Sequence, residues 1–308
     1  MKTKGSLKLT KSNKAFYKNV WFWVGLVGIA AVAYFITTLD ISGDDREFEA
    51  DNNIHAYTRE IGSGTRSAFT DITGLVDENG DDNISPYATV QNTTNGSMQA
   101  VVSDVYGISY ISLGSLNDTV KAIAIEGAEP SVEEIQSENY KLVRNFSVVY
   151  GQELSEVAQD FWNYMFSAQA QELVAETGYV PVDANAPEYE AADLSGNISI
   201  VGSTSVEPTI SRFAEEYTKL NPDVTIDITS PGSGAGITSA IDGSSDIGMT
   251  SRDPDEGEMA NLIESKAIAI DGIVAIVNNN NPVDNLSLDQ IQGIYLNYYE
   301  TWDEVLGE

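Results

Sequence analysis

The chain has 308 residues, more than one hydrophobic core usually serves, so its length favours two packed lobes. It carries 16 Lys and Arg against 47 Asp and Glu residues, and the resulting charge of −31 would repel the phosphate backbone of nucleic acid. The absence of cysteine and the single histidine, His55, exclude disulfides, cysteine nucleophiles and metal sites built from thiolates or several histidines. We therefore expect a folded protein with no metal, no cofactor and no nucleic-acid partner.

The N-terminal region differs in charge from the rest of the chain. Six lysines precede the first acidic residue, Asp40, and the remainder carries 10 basic against 47 acidic residues, a formal charge of −37. Residues 20–39 are uncharged and largely apolar, long enough as a helix to cross the roughly 30 Å hydrocarbon layer of a membrane. A cleaved signal peptide is the alternative, but its apolar segment is usually only about 7–15 residues long. We expect a cytoplasmic basic tail at residues 1–19, a single-pass transmembrane anchor at residues 20–39, and a tether at residues 40–53 that holds an extracellular domain at the cell membrane.

From residue 54 onward, β-type runs alternate with helical patterns, which is typical of an α/β protein. Strands are predicted at residues 54–58, 107–111, 120–125, 145–150, 198–201, 224–228 and 268–277. Helices are predicted at residues 67–76, 132–138, 154–176, 207–220, 236–241 and 288–295. Residues 183–196 carry few large apolar side chains and are predicted to be an internal linker.

Three glycine-rich turns each follow a predicted strand and precede a predicted helix. They are GSGT at residues 62–65, GSTS at residues 202–205 and GSGAG at residues 232–236. A helix start offers free N–H groups and a partial positive charge, and glycine lets the backbone approach a ligand closely. Together, three such turns would bind an anion through short hydrogen bonds despite the negative domain, although each alone is more often an ordinary turn or helix cap. Arg59, three residues before Gly62, adds a guanidinium suited to hold an oxyanion through two parallel hydrogen bonds.

Four longer motifs contain or extend these turns. They are RExGSGTRxxF at residues 59–69, VGSTSVEP at residues 201–208, SPGSGAGI at residues 230–237 and SDIGMTSR at residues 245–252. In these motifs the sequence resembles the substrate-binding protein of the bacterial high-affinity phosphate ABC transporter. The resemblance implies a two-lobed α/β fold of the type II periplasmic-binding-protein class. It also implies a protein without enzymatic activity that captures inorganic phosphate and passes it to the permease subunits of an ABC importer.

The resemblance implies phosphate contacts from both lobes. The implied contacts are Thr204, Ser205, Ser233 and Ser251 in one lobe, and Arg59, Ser63, Gly64 and Thr65 in the other. Many family members have Asp where Ser251 stands, which accepts the hydrogen of a protonated phosphate, whereas serine rejects sulfate less strongly. Binding of sulfate or molybdate is therefore one alternative, and phosphate sensing towards a membrane partner is another. Hydrolysis by Ser63 with His55 is disfavoured because the chain has no GxSxG motif.

The order of the motifs differs from that of the family, in which the GSTS half precedes the RExGSGT half. We therefore expect a circular permutation. Residues 54–182 would correspond to the family's C-terminal half, residues 183–196 would join its original ends, and residues 197–308 would correspond to its N-terminal half. Chain crossings near residues 279–282 and 144–146 would be the hinges. We expect one complete site per chain, and a dimer whose chains complete each other's sites is the alternative.

Overall fold

The computed structural model describes residues 48–307. The strands are β1 (His55–Arg59), β2 (Thr89–Gln91), β3 (Gly107–Ser112), β4 (Lys121–Ala122), β5 (Ala124–Ile125), β6 (Val143–Tyr150), β7 (Val180–Pro181), β8 (Gly196–Gly202), β9 (Val224–Thr229), β10 (Ile247–Thr250), β11 (Glu264–Val277) and β12 (Asn285–Leu286). The helices are α1 (Gly64–Thr73), α2 (Thr94–Val102), α3 (Val132–Gln136), α4 (Glu156–Met165), α5 (Ala168–Glu176), α6 (Glu207–Leu220), α7 (Ser233–Asp242), α8 (Glu256–Met259), α9 (Leu288–Tyr295) and α10 (Trp302–Leu306).

None of the helices within residues 48–307 is long and apolar enough to cross a membrane. The predicted basic tail and anchor, and most of the predicted tether, lie outside these residues.

Ten of the described strands form one mixed sheet, whose main path runs β2-β1-β3-β11-β6-β10-β8-β9. At one end β1 lies between two parallel neighbours, β2 and β3, and at the other end β8 lies between two parallel neighbours, β9 and β10. Helices follow β1, β2, β8 and β9 directly in the chain. Each end of the sheet is therefore a parallel α/β unit, and in such units ligands bind beyond the carboxyl ends of the strands.

Strand β11 joins the two ends of the sheet. Its first part pairs antiparallel with β6, as far as Gly272 opposite Val143, and its last part pairs with β3, starting with Ile273 opposite Ser112. The chain therefore crosses between the two parts within β11, at residues 272–273, and the crossing expected near residues 279–282 is wrong. The sequence gives no signal for this crossing, because no turn or polar break interrupts residues 272–277. These residues are buried and continue the same strand. The other crossing lies at the start of β6, near the expected residues 144–146.

Two hydrophobic cores lie on either side of these crossings. Phe146, Phe161 and Phe213 belong to one core, whereas Phe69, Tyr110 and Trp302 belong to the other. We call residues 144–272, around the first core, the Ser251 lobe. Residues 48–143 and 273–307, around the second core, form the Arg59 lobe.

The remaining differences from the sequence predictions are local. The helix predicted at residues 154–176 is two helices, because the Ser167 side chain caps α5 by accepting a hydrogen bond from the Ala170 N–H at 3.3 Å. Helix α2 and strand β2 were not predicted, since the segment contains threonines, asparagines and a glycine, which are weak formers of both structures. The predicted linker packs against the Ser251 lobe, where the Tyr189 hydroxyl donates to Asp160 Oδ2 at 2.6 Å.

Candidate functional site

Four helices begin where the two lobes meet. Helix α1 follows β1, α2 follows β2, α6 follows β8 and α7 follows β9, and hydrogen bonds join residues at the starts of all four. Each helix is at least nine residues long and directs the positive end of its dipole towards this region. Three of these starts contain the glycine-rich turns of the sequence, and the fourth, α2, adds to them.

Arg59 ends β1 and is only 2% exposed. Its Nη2 donates to Thr204 Oγ1 of the opposite lobe at 3.0 Å, and its Nη1 donates to Thr94 Oγ1 at the start of α2 at 3.4 Å. Glu60 accepts from Nε and Nη2 at 2.9 Å each. One edge of the guanidinium, formed by Nε and Nη2, is therefore occupied by a carboxylate, while Nη2 also donates to the opposite lobe and Nη1 donates to the start of α2 in the same lobe.

Buried hydroxyl groups make further contacts between the lobes, at Ser205, and within the Ser251 lobe, at Ser251. Ser205 Oγ lies 2.9 Å from Thr65 Oγ1 and 3.2 Å from Thr94 Oγ1. Ser203 Oγ donates to Ser251 Oγ at 2.9 Å. The Ser251 N–H donates to Ser233 Oγ at 3.0 Å, and the two Oγ atoms of this pair are 3.3 Å apart.

Two glycine turns bring the backbones of the lobes together. The Gly234 N–H donates to the Gly62 carbonyl across the cleft at 3.0 Å. A Cβ atom at Gly64 would clash with the Oγ atoms of Ser233 and Ser251, so only glycine allows this approach. Gly232 precedes α7 with φ of +131°, a conformation that residues with a side chain rarely adopt.

The structure places all eight predicted site residues at the strand ends, turns and helix starts that meet here. Seven of them make or permit the contacts between the lobes described above, whereas the Ser63 hydroxyl caps α1 by accepting from the Arg66 N–H at 3.3 Å. Sequence reasoning missed Glu60, Thr94 and Ser203. The signal for Thr94 was the run NTTNGS, in which Thr93 caps α2 by accepting from the Gly96 N–H at 2.9 Å, but no strand was predicted before it.

A second layer of contacts fixes the end of β1. Burial raises the pKa of Tyr110 to about 12, and its neutral hydroxyl lies 2.7 Å from Thr58 Oγ1 and accepts from the Arg59 N–H at 3.2 Å. Arg66 donates to the Arg59 carbonyl at 2.6 Å and forms an ion pair with Asp82. An open pocket of about 520 Å³ leads from solvent to Thr94 and Thr204, which are the hydroxyl partners of the Arg59 guanidinium.

The chemistry of the cluster is that of hydrogen-bond donation to an anion. It offers hydroxyl groups, N–H groups at helix starts and one guanidinium, and its carboxylate, Glu60, is already paired with Arg59. His55 lies at the opposite end of β1 from Ser63, with its Nδ1 2.6 Å from Asp104 Oδ2, so these two residues do not form a nucleophile and base. Within residues 48–307, no group of acidic or histidine side chains is arranged to hold a metal ion.

Comparisons with known proteins agree with this architecture. A model of the PBP superfamily domain matches residues 41–169 and 187–308. The phosphate-binding protein PstS 2 of Streptococcus pneumoniae is 41% identical over 261 residues, which cover 83% of this chain and 89% of that protein. The chain belongs to the PstS family of the PBP superfamily.

Two further matches within the PstS family show how far the likeness extends. A crystal structure of the phosphate-binding protein of a phosphate ABC transporter from S. pneumoniae matches with a TM-score of 0.68 and 41% identity, covering 82% of this chain and 100% of that chain. The phosphate-binding protein PstS of Pseudomonas aeruginosa is 30% identical over only 130 residues, which cover 39% of this chain and 40% of that protein.

Proposed function

We propose that this protein is an extracellular solute-binding protein that captures inorganic phosphate between its two lobes and delivers it to an ABC importer. The observation that carries the proposal is the junction of four helix starts, buried hydroxyl groups and the Arg59 guanidinium, supplied by both lobes. Hydrogen bonds of this kind recognise a tetrahedral oxyanion at short range, where the overall negative charge of the domain matters little. The pneumococcal relatives, named as phosphate-binding proteins, support the same ligand.

The proposed phosphate contacts come from both lobes. Those in the Ser251 lobe are Thr204, Ser205, Ser233 and Ser251, and those in the Arg59 lobe are Arg59, Ser63, Gly64 and Thr65. We add Thr94, because its hydroxyl lies between the Arg59 guanidinium and Ser205 Oγ. A ligand that touches both lobes stabilises the closed arrangement, and closure is then the state that the permease recognises. Binding and release complete this role without any chemical conversion of the anion.

Another tetrahedral oxyanion is the second candidate ligand. Ser251 Oγ already accepts from Ser203 Oγ, so it can accept the proton of a phosphate only while its own hydrogen points elsewhere, for example towards Ser233 Oγ. Sulfate and molybdate carry no proton at neutral pH, and a serine discriminates against them less than a carboxylate does. Signalling of phosphate to a membrane partner remains the alternative role for the same closure.

The cellular location and the order of the halves are part of the proposal. The basic residues 1–19 and the apolar residues 20–39 support a single-pass anchor with its N-terminus in the cytoplasm and the binding domain outside. The permutation, with residues 54–182 and 197–308 as exchanged halves, is supported by the contrast between relatives. The pneumococcal protein aligns with most of the chain, whereas the P. aeruginosa protein aligns with less than half of it, as expected if only the former shares the reordering.

Isothermal titration calorimetry of the full-length protein with phosphate, sulfate and molybdate tests this function. We expect one phosphate per chain, a monomeric mass by light scattering, and weaker heats with the other two anions. Tighter binding of sulfate or molybdate than of phosphate would show that the ligand is that anion. Binding of none of the three would refute the proposed role as an oxyanion receptor. An obligate dimer with one site per two chains would replace the single-chain site by a shared one.

A further inference from the structure

A second buried guanidinium lies on β6, at the base of the Ser251 lobe. Arg144 and Asp271 are cross-strand partners in the ladder of β6 and β11, and their side chains are 3% and 0% exposed. Asp271 Oδ2 accepts from Arg144 Nε at 2.9 Å, and Oδ1 accepts from the Ser112 hydroxyl at 2.8 Å and the Leu113 N–H at 3.1 Å. The carboxylate therefore has the hydrogen bonds that a buried ion needs.

This ion pair lies at the point where the lobes join. Asp271 is two residues before Ile273, where β11 passes from β6 to β3, and Arg144 is at the other crossing. Ser112 and Leu113, which donate to Asp271, belong to the Arg59 lobe. The pair thus contacts both lobes close to the two chain crossings.

Arg144 also reaches the candidate phosphate site. Its Nη1 donates to the Ser251 carbonyl at 3.4 Å, and the Ser251 side chain belongs to the hydroxyl cluster between the lobes. Burial lowers the pKa of Arg144, Asp271 raises it, and the nearby charge of Arg59 lowers it again. The two buried guanidinium groups thus contact the same cluster, Arg59 at Thr204 and Arg144 at the Ser251 carbonyl.

Building on the proposed function, we propose that Arg144 is a positioning residue for phosphate binding. It holds the backbone of Ser251 in place, and its positive charge, offset in part by Asp271, acts on the bound anion. Asp271 holds the Arg144 guanidinium in its orientation and weakens the attraction between that guanidinium and the bound anion.

The two partners therefore have opposite effects on the ligand. Arg144→Gln removes the positive charge and the donor at the Ser251 carbonyl, whereas Asp271→Asn keeps both and leaves the Arg144 charge without its counterion. Both substitutions break a buried ion pair and lower stability. A pair with only a structural role would change phosphate affinity in the same direction in both variants, or in neither.

The test measures phosphate affinity by calorimetry and melting temperature for the full-length protein and its variants. We expect Arg144→Gln to weaken phosphate binding about tenfold. Asp271→Asn should bind phosphate as tightly as the unaltered protein or more tightly, although both variants melt at lower temperature. The matched control is Lys121→Met, which breaks the Lys121–Asp284 ion pair, whose Asp284 side chain is 85% exposed, and should change neither property.

A double variant, Arg144→Met with Asp271→Leu, removes both charges and keeps the result interpretable if a single variant does not fold. We expect it to bind phosphate about fivefold more weakly, because the donor to the Ser251 carbonyl is lost. Equal affinity changes in the two single variants, or an unchanged affinity in the double variant, would overturn the role of Arg144. If the unaltered protein bound no phosphate, the proposed function itself would fail, and this inference with it.

Discussion

The two lobes bring different chemistry to the same cleft. The Arg59 lobe supplies a guanidinium held by Glu60, together with the hydroxyl groups of Thr65 and Thr94. At the cleft the Ser251 lobe presents uncharged groups, namely five serine and threonine hydroxyls and the starts of two helices. Charge contributes mainly to affinity, whereas the pattern of hydrogen-bond donors and acceptors distinguishes one oxyanion from another. We therefore expect the Arg59 lobe to dominate affinity and the Ser251 lobe to dominate selectivity.

The largest expected effect is that of Arg59→Met. It removes the charge and both Nη donors and leaves Glu60 unpaired beside the anion, so phosphate binding measured by calorimetry should weaken about a thousandfold. The matched control is Arg212→Met, which removes an equal charge from the surface of the Ser251 lobe and should leave affinity unchanged. Adding Glu60→Gln to Arg59→Met removes the unpaired carboxylate. Full recovery of affinity in that double variant would show that Arg59 only neutralises Glu60.

A smaller effect is expected at the glycines that bring the lobes together. Gly64→Ala would place a methyl group against the Oγ atoms of Ser233 and Ser251, so the lobes should close less completely and phosphate binding should weaken about a hundredfold. Gly234→Ala is the control on the opposite lobe, since its methyl group would lie at an ordinary contact distance of 3.6 Å from Gly62. Small-angle X-ray scattering with phosphate should show a more open Gly64→Ala protein. Identical scattering and affinity in the two variants would contradict tight apposition at Gly64.

The sequence allowed prediction of those features that depend on local patterns. The strands before the glycine-rich turns and the helices after them follow from the alternation of apolar runs with Gly and Ser, and α6 and α9 begin and end at the predicted residues. The resemblance to the phosphate-transporter family then supplied the eight site residues. The structure shows these residues at strand ends, turns and helix starts that meet between the lobes.

The features that could not be predicted depend on tertiary contacts. Thr94 reaches the cleft only because β2 pairs with β1 and carries the start of α2 to Arg59. In the sequence, Glu60 is simply an acidic residue next to Arg59. Only its hydrogen bonds in the structure reveal that it occupies one edge of the Arg59 guanidinium. The crossing within β11 follows from its change of partner from β6 to β3, which leaves no mark in an unbroken apolar run.

The smallest expected effect on phosphate itself is that of Ser251→Asp, which tests the selectivity of the Ser251 lobe. A carboxylate at this position would accept from Ser203 and Ser233 and could still receive the proton of a protonated phosphate, so phosphate affinity should change less than about threefold. Sulfate has no proton to offer and would face an unpaired charge, so its competition with phosphate should fall about tenfold. Competition calorimetry at neutral pH compares the two anions in both proteins. If sulfate competed equally with both, the hydroxyl of Ser251 would not be what sets the choice between them, and selectivity would have to arise in the Arg59 lobe.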